Sequence, residues 1–182
     1  MYRILLQVLP LVACLSGGTV LEAAEDEGKQ VTEGVVEAPV GVVWAALATK
    51  EGLESWNVAH AEVDLKLGGK MRTRYDPKGK LGDQRTIVNT ILSFEPRRML
   101  SIKATGLPEG FPYPRAIQSV WTTIYFEEAG AGRTRIRLVG QGYGSDEESK
   151  KLRAFFARGN AYTLQKLQKH FASRKGNQIE GN

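Results

Sequence analysis

With a single cysteine, Cys14, the 182-residue chain can form no internal disulfide. Its two histidines, His60 and His170, stand far apart, and no cysteine or histidine pair has ligand spacing. That excludes a zinc or iron site built on soft ligands, so no metal and no cofactor are expected. No serine or cysteine stands in a nucleophile motif. The chain has no internal repeat and no low-complexity tract. It also lacks an apolar run long enough to span a bilayer: Ile4 to Leu15 has only 12 residues. Charge of one sign is not in large excess: 25 basic against 20 acidic residues leave a net +5. The basic residues do not interleave with aromatics, so nucleic acid is not an expected partner. A weakly basic face still suits anionic lipid headgroups.

What is present begins with an export pattern. Arg3, the apolar Ile4–Leu15 run and the small residues after it read as a signal over residues 1–24. Leu11-Val12-Ala13-Cys14 resembles a bacterial lipobox, which makes Cys14 a lipidation candidate and the N-terminus a point of membrane attachment. Cleavage near Ala23 or Ala24 is the alternative. Either way the expected location is the bacterial periplasm or the membrane, as an anchored lipoprotein. Residues 25–30 read as a linker, 31–174 as one domain and 175–182 as a disordered tail.

Within the domain the hydrophobic period changes three times. Val31 to Glu37 is a β-branched strand. Pro39 then opens a helix through Val40, Val43, Trp44 and Leu47, and a second short helix runs from Lys50 to Ser55. From His60 the period is two: Ala61, Val63, Leu65 and Leu67 alternate with charged residues, Gly68-Gly69 turns the chain, and Met71, Thr73 and Tyr75 share a face. Further strands are expected at Arg85–Phe94, Met99–Ala104, Ile117–Glu128 and Arg133–Gly142. The faces of the first and third of these cannot be assigned from pattern. Gly106 to Arg115, with three prolines and Leu107, Phe111 and Tyr113, can be neither helix nor central strand. It is a lid over a cavity, a surface contact or a loop packed on one end of the sheet. The last element is a long helix from Ser145 to about Ser173. Ser145 to Glu148 predicts a capping box, and Gly176 a stop.

Val36-Glu37-Ala38-Pro39, Val43-Trp44, Leu47, Gly52 and Trp56 resemble the opening of the SRPBCC superfamily, the START-like, helix-grip proteins. Gly68-Gly69-Lys70-Met71, Phe94-Glu95-Pro96-Arg97, Phe126-Glu127, Thr134 to Leu138 and Gly159 to Leu167 add to the likeness, which spans Val31 to Phe171. The nearest branches are the group named after the activator of the heat-shock ATPase and the polyketide cyclases. The resemblance implies an α+β helix-grip fold: a curved antiparallel sheet of six to seven strands round the C-terminal helix, with two short helices after the first strand. It also implies a cavity between sheet and helix, used in the superfamily for lipids, sterols, polyketides and other apolar compounds.

A ligand in such a cavity would meet Phe156, Gly159, Asn160, Thr163 and Leu167 on the helix. On the sheet it would meet Met71, Thr73, Tyr75 and Trp121, with Trp56 at the mouth. Leu107, Phe111 and Tyr113 would form the lid. Gly159 admits two readings, close approach to a ligand or tight packing on the sheet, because a mid-helix glycine costs about 1 kcal/mol relative to alanine. His60, near Trp56, is the one candidate general base. His170 suits the end of its helix and needs no other role. No carboxylate pair is placed for acid–base work. The reading is an exported domain that binds a small hydrophobic or amphipathic molecule and leans away from catalysis. A cyclase- or dehydratase-like enzyme and a protein-interaction module are the alternatives.

Overall fold

The computed structural model describes residues 28–179, with side chains through Ser173. The expected signal, Cys14 and most of the linker lie outside the described residues.

Seven strands, three helices and a 3-10 turn make up the described chain. They run β1 (Lys29–Val36), α1 (Val40–Ala48), α2 (Lys50–Trp56), β2 (His60–Val63), β3 (Lys70–Arg74), β4 (Ile87–Glu95), β5 (Met99–Gly106), the 3-10 turn (Ala116–Ser119), β6 (Trp121–Glu128), β7 (Thr134–Gln141) and α3 (Glu147–Ile179). The strands form one curved antiparallel sheet in the order β1-β7-β6-β5-β4-β3-β2. The α+β helix-grip expectation therefore holds, with seven strands.

Alternation puts the sheet's apolar side against the helices. On β7, Ile136 and Leu138 are buried while Arg135 and Arg137 are exposed. Across the sheet, Leu138 pairs with Ile124, and Ile124 with Leu100. On β4, Ile91 pairs with Ile102 and Phe94 with Leu100, so three residues on β4 span two on β5. A bulge absorbs the extra residue and turns Leu92 outward, 43% exposed. That is why both faces of β4 look apolar in sequence.

The two short helices plug one end. Thr49 separates them: its hydroxyl accepts from the Gly52 amide at 3.0 Å and donates to the Ala45 carbonyl at 2.8 Å. Gly52 is required there, since a Cβ would lie 2.0 Å from the Ala45 carbonyl oxygen. Trp44 meets Phe126 edge-on at 5.3 Å and ties α1 to the sheet, as its spacing suggests.

Three expectations change. The expected strand from Ile117 begins only at Trp121; residues 116–119 form the 3-10 turn. The capping box is not the one expected. Asp146, not Ser145, accepts from the amides of Glu148 and Ser149 at 3.0 and 3.1 Å, and Ser149 closes the motif by donating to Asp146 at 2.6 Å. An aspartate is as good a cap as serine, and it stands one residue nearer the first turn. Lastly, α3 runs through Gly176 to Ile179, so residues 175–179 extend the helix rather than form a tail.

The core is split. One cluster joins α1, α2 and the sheet centre to Leu164, Leu167 and Phe171 of α3. The other joins Ile117, Val120, Tyr143 and Leu152, with Leu107, Phe111, Tyr113 and Phe156 against it. The long helix thus rests on two separate supports.

Candidate functional site

Between those supports α3 lies along one side of the sheet. Its neighbours are β1, the 3-10 turn and α2. A Cβ on Gly34 of β1 would lie 3.0 Å from the Gln168 amide nitrogen and 3.1 Å from Leu164, so helix and strand are in direct contact there. The Gln168 side chain donates to the Val35 carbonyl at 2.9 Å and holds the helix on the edge strand.

Strand pairing defines the floor beneath the helix. Ile91, Ile102, Thr122, Gly140 and Gln30 form one row across five strands. Asn89, Ala104 and Met71 form part of the next, and Thr73 pairs with Ile87. Ile91 and Met71 are buried, yet Thr73, Asn89, Ile102, Ala104 and Thr122 remain half-buried on the face that the helix overhangs. The space between helix and sheet is therefore a cleft, closed along β1 and open toward β3–β5. Its floor mixes aliphatic carbons with hydroxyl and amide groups.

The sequence-derived candidates distribute unevenly around this cleft. Thr73 lies on its floor. Met71 and Leu167 are 5% and 2% exposed and belong to the core beside it. Trp56 is half-buried against the same core, and its indole donates to the Ala46 carbonyl at 3.0 Å. Thr163 is half-buried. Asn160 donates to Gln30 at 2.9 Å, and Gln30 donates to Thr32 at 2.7 Å, a polar chain from helix to β1. Phe156 packs on the second cluster. Trp121 is half-buried, and its ring approaches within 2.9 Å of where a Gly142 Cβ would stand. Tyr75 is 54% exposed beyond the end of β3. Desolvation around its hydroxyl raises the phenol's pKa, opposed by a hydrogen bond with Asn57. Gly159 is exposed, and a Cβ there would meet nothing within 4 Å. Neither of its two sequence readings, close approach or tight packing, is met.

His60 pairs with Arg74, one residue out of phase with the Ala61–Thr73 pair. It therefore occupies the sheet face opposite Thr73, where its Nε2 is 3.1 Å from the Pro77 carbonyl. Among the described residues, no three His, Cys, Asp or Glu side chains gather as metal ligands. Nor is any described helix long and apolar enough to cross a membrane.

The proline-rich segment closes one end of the cleft. Phe111 and Tyr113 stack edge-on with Phe155 of α3 at 6.0 and 5.8 Å, and Phe155 meets Phe156 at 5.6 Å. Leu107 joins the same cluster. The segment ends on Glu148, whose carboxylate accepts from the amides of Arg115 and Ala116 at 3.0 and 3.1 Å and pairs with the Arg115 guanidinium at 2.9 Å. The Ala116 amide leads in holding this carboxyl below its ordinary range. Glu148 thus serves the lid rather than the helix cap.

Sequence reasoning passed over Gln30, Thr32 and Tyr143. Gln30 and Thr32 sat at the edge of the expected linker. Tyr143 stands in Gly140-Gln141-Gly142-Tyr143-Gly144, where the three glycines signal close packing around one aromatic. Tyr143 also lines a cavity of about 230 Å³ at the start of α3, with Lys150 and Arg153. A groove of about 430 Å³ runs along the α1–α2 corner and β2. Neither includes the cleft floor.

The comparisons with known proteins agree with this architecture. The family model for Activator of Hsp90 ATPase homolog 1-like protein matches residues 37–172. A search of curated proteins by sequence finds no match. Among solved structures, the Aha1 dimer from Colwellia psychrerythraea superposes with a TM-score of 0.60 at 14% identity, covering 79% of this chain and 95% of that one. A protein from Mesorhizobium loti gives 0.61 at 18% identity, over 80% and 97%. One from Cytophaga hutchinsonii gives 0.60 at 21%, over 81% and 96%. At these identities the neighbours speak to fold alone. The order of elements, the cleft and the span of the family match lead to one assignment: the chain belongs to the Activator of Hsp90 ATPase homolog 1-like family, within the SRPBCC superfamily.

Proposed function

We propose that this domain is exported and binds a small hydrophobic or amphipathic molecule in the cleft between the sheet and α3. The observation that carries the reading is the half-burial of Thr73, Asn89, Ile102, Ala104 and Thr122 on the face the helix overhangs. Sealed cores bury such positions completely, as Ile91, Leu100 and Ile136 are buried in the same sheet. An apolar guest of modest size, covering roughly 200 Å² of apolar surface, would gain about 5 kcal/mol from burial, enough to offset much of the entropy lost on association. The threonine and asparagine groups would orient it.

Binding fits the site better than catalysis. The floor offers hydroxyl and amide groups, none of them an acid or base near neutral pH, and His60 is on the other face. The cyclase- or dehydratase-like alternative needs titratable groups converging on the guest. For a protein-interaction module the lid would have to present its apolar side chains outward, yet Leu107, Phe111 and Tyr113 are half-buried against α3 and its neighbours. The export half of the proposal rests on the Arg3, Ile4–Leu15 and Cys14 pattern. Native mass spectrometry of protein purified from its own host tests the binding half: a stoichiometric apolar adduct is expected. A persistently empty protein, with no thermal shift across a lipid and polyketide panel, would sink it. Fractionation tests export. Membrane association lost in Cys14→Ala supports the lipoprotein form, and association kept in that variant ends it.

A further inference from the structure

We propose that Tyr143 reads the polar end of the ligand, donating its hydroxyl hydrogen to an oxygen acceptor, and that this acceptor is a carboxylate. The proposal rests on the cleft being a ligand site and names the chemistry of the guest.

Tyr143 is 6% exposed, and its hydroxyl is buried without a hydrogen-bond partner among the described residues. A buried hydroxyl left unpaired is destabilising, so a partner of some kind accounts for its retention. Its position links it to the cleft. The ring folds back over Gly140, where a Cβ would lie 2.7 Å from the hydroxyl. Gly140 belongs to the floor row, between Thr122 and Gln30. The hydroxyl therefore sits at the β7 end of that floor.

The nearby polar groups are already engaged with one another. Gln30 donates to Thr32 and accepts from Asn160. The Asp146 carboxylate accepts from the Glu148 and Ser149 amides and the Ser149 hydroxyl. Burial pushes the Tyr143 phenol up to about 12, against the opposing influence of Arg153, so it remains a protonated donor across the physiological range. A donor calls for an acceptor on the guest. The charge nearby selects the kind: Lys150 and Arg153 line the same cavity as Tyr143. Lys150 also pairs with Glu147 at 3.1 Å, but that pair is exposed and screened. An anionic oxygen is favoured there over a neutral one, and an acyl chain behind it would extend along the apolar part of the floor.

The test is titration calorimetry of dodecanoate and of dodecan-1-ol against the purified protein and its Tyr143→Phe variant, with a thermal melt of each. Phenylalanine keeps the ring and removes only the hydroxyl. The expected result is loss of affinity for dodecanoate by about tenfold, one charge-assisted hydrogen bond. Affinity for the alcohol should change less, and the melting temperature should hold or rise, because an unpaired hydroxyl has gone. Equal dodecanoate affinity in the two proteins would overturn the role of Tyr143. So would a fall in melting temperature, which would mark the hydroxyl as structural. Equal losses for acid and alcohol would overturn the carboxylate. Failure of the wild-type protein to bind either probe would instead overturn the cleft as a lipid site, and this proposal with it.

Discussion

Asp83 organises the turn between β3 and β4 almost alone. Its carboxylate takes the Arg74 Nε at 2.8 and 3.0 Å, the Lys80 and Arg85 amides and the Thr86 hydroxyl. The Arg74 hydrogen bond is the leading reason its pKa falls from 3.8 to about 2. A carboxyl whose pKa is lower folded than unfolded stabilises the fold above its unfolded value and loses that contribution as pH falls through the folded one. Wild type should therefore lose stability between about pH 4 and pH 2. In Asp83→Asn this part of the acid transition should be absent, read as a flatter dependence of urea midpoint on pH. Glycines give a second prediction of opposite signs. Gly159→Ala meets only open space and should stabilise the helix by about 0.5–1 kcal/mol. Gly52→Ala drives a methyl into the Ala45 carbonyl and should destabilise strongly. Thermal melts of the two variants distinguish them at once. Sequence showed both glycines but not which one was needed, because the requirement depends on whether another chain segment lies opposite.

At the scale of elements, α3 and the lid are coupled through Glu148. Replacing it by Ala removes the acceptor for two amides and the partner of Arg115. Hydrogen exchange should then quicken across residues 106–119 and stay unchanged in β1 and β7. Uniform quickening would mean that Glu148 supports the whole fold instead. The helix start offers a sharper contrast. Asp146→Ala should lower the melting temperature and Ser145→Ala should not, since only Asp146 caps. The helix itself was legible from its apolar spacing, and the β2–β3 and β7 alternation was legible too. What the pattern hid has a common cause. The β4 bulge, the 3-10 turn and the true cap each arise where a one-residue shift is decided by a distant partner. Ile102 opposite Ile91 decides the first, and Glu148 against Ala116 decides the second.

Taken whole, the molecule is a sheet held at one edge by a helix that rests on two hydrophobic clusters and leaves a cleft between them. The helix face was readable in advance, and the family opening from Val36 to Trp56 pointed to the architecture. The floor of the cleft was not readable, because Asn89, Ile102, Ala104 and Thr122 come together only through strand register. That floor is where the central claim can be measured. Ile102→Trp would place an indole in the open part of the cleft, and binding of apolar probes should drop severalfold while the fold persists. The most direct measurement is an amide chemical-shift map of the ¹⁵N-labelled protein titrated with an acyl-chain probe. The account predicts shifts concentrated at Thr73, Asn89, Ile102, Ala104, Thr122, Asn160 and Thr163. Shifts confined to the groove at Thr49, Glu62 and Leu65, or none at saturating probe, would contradict it.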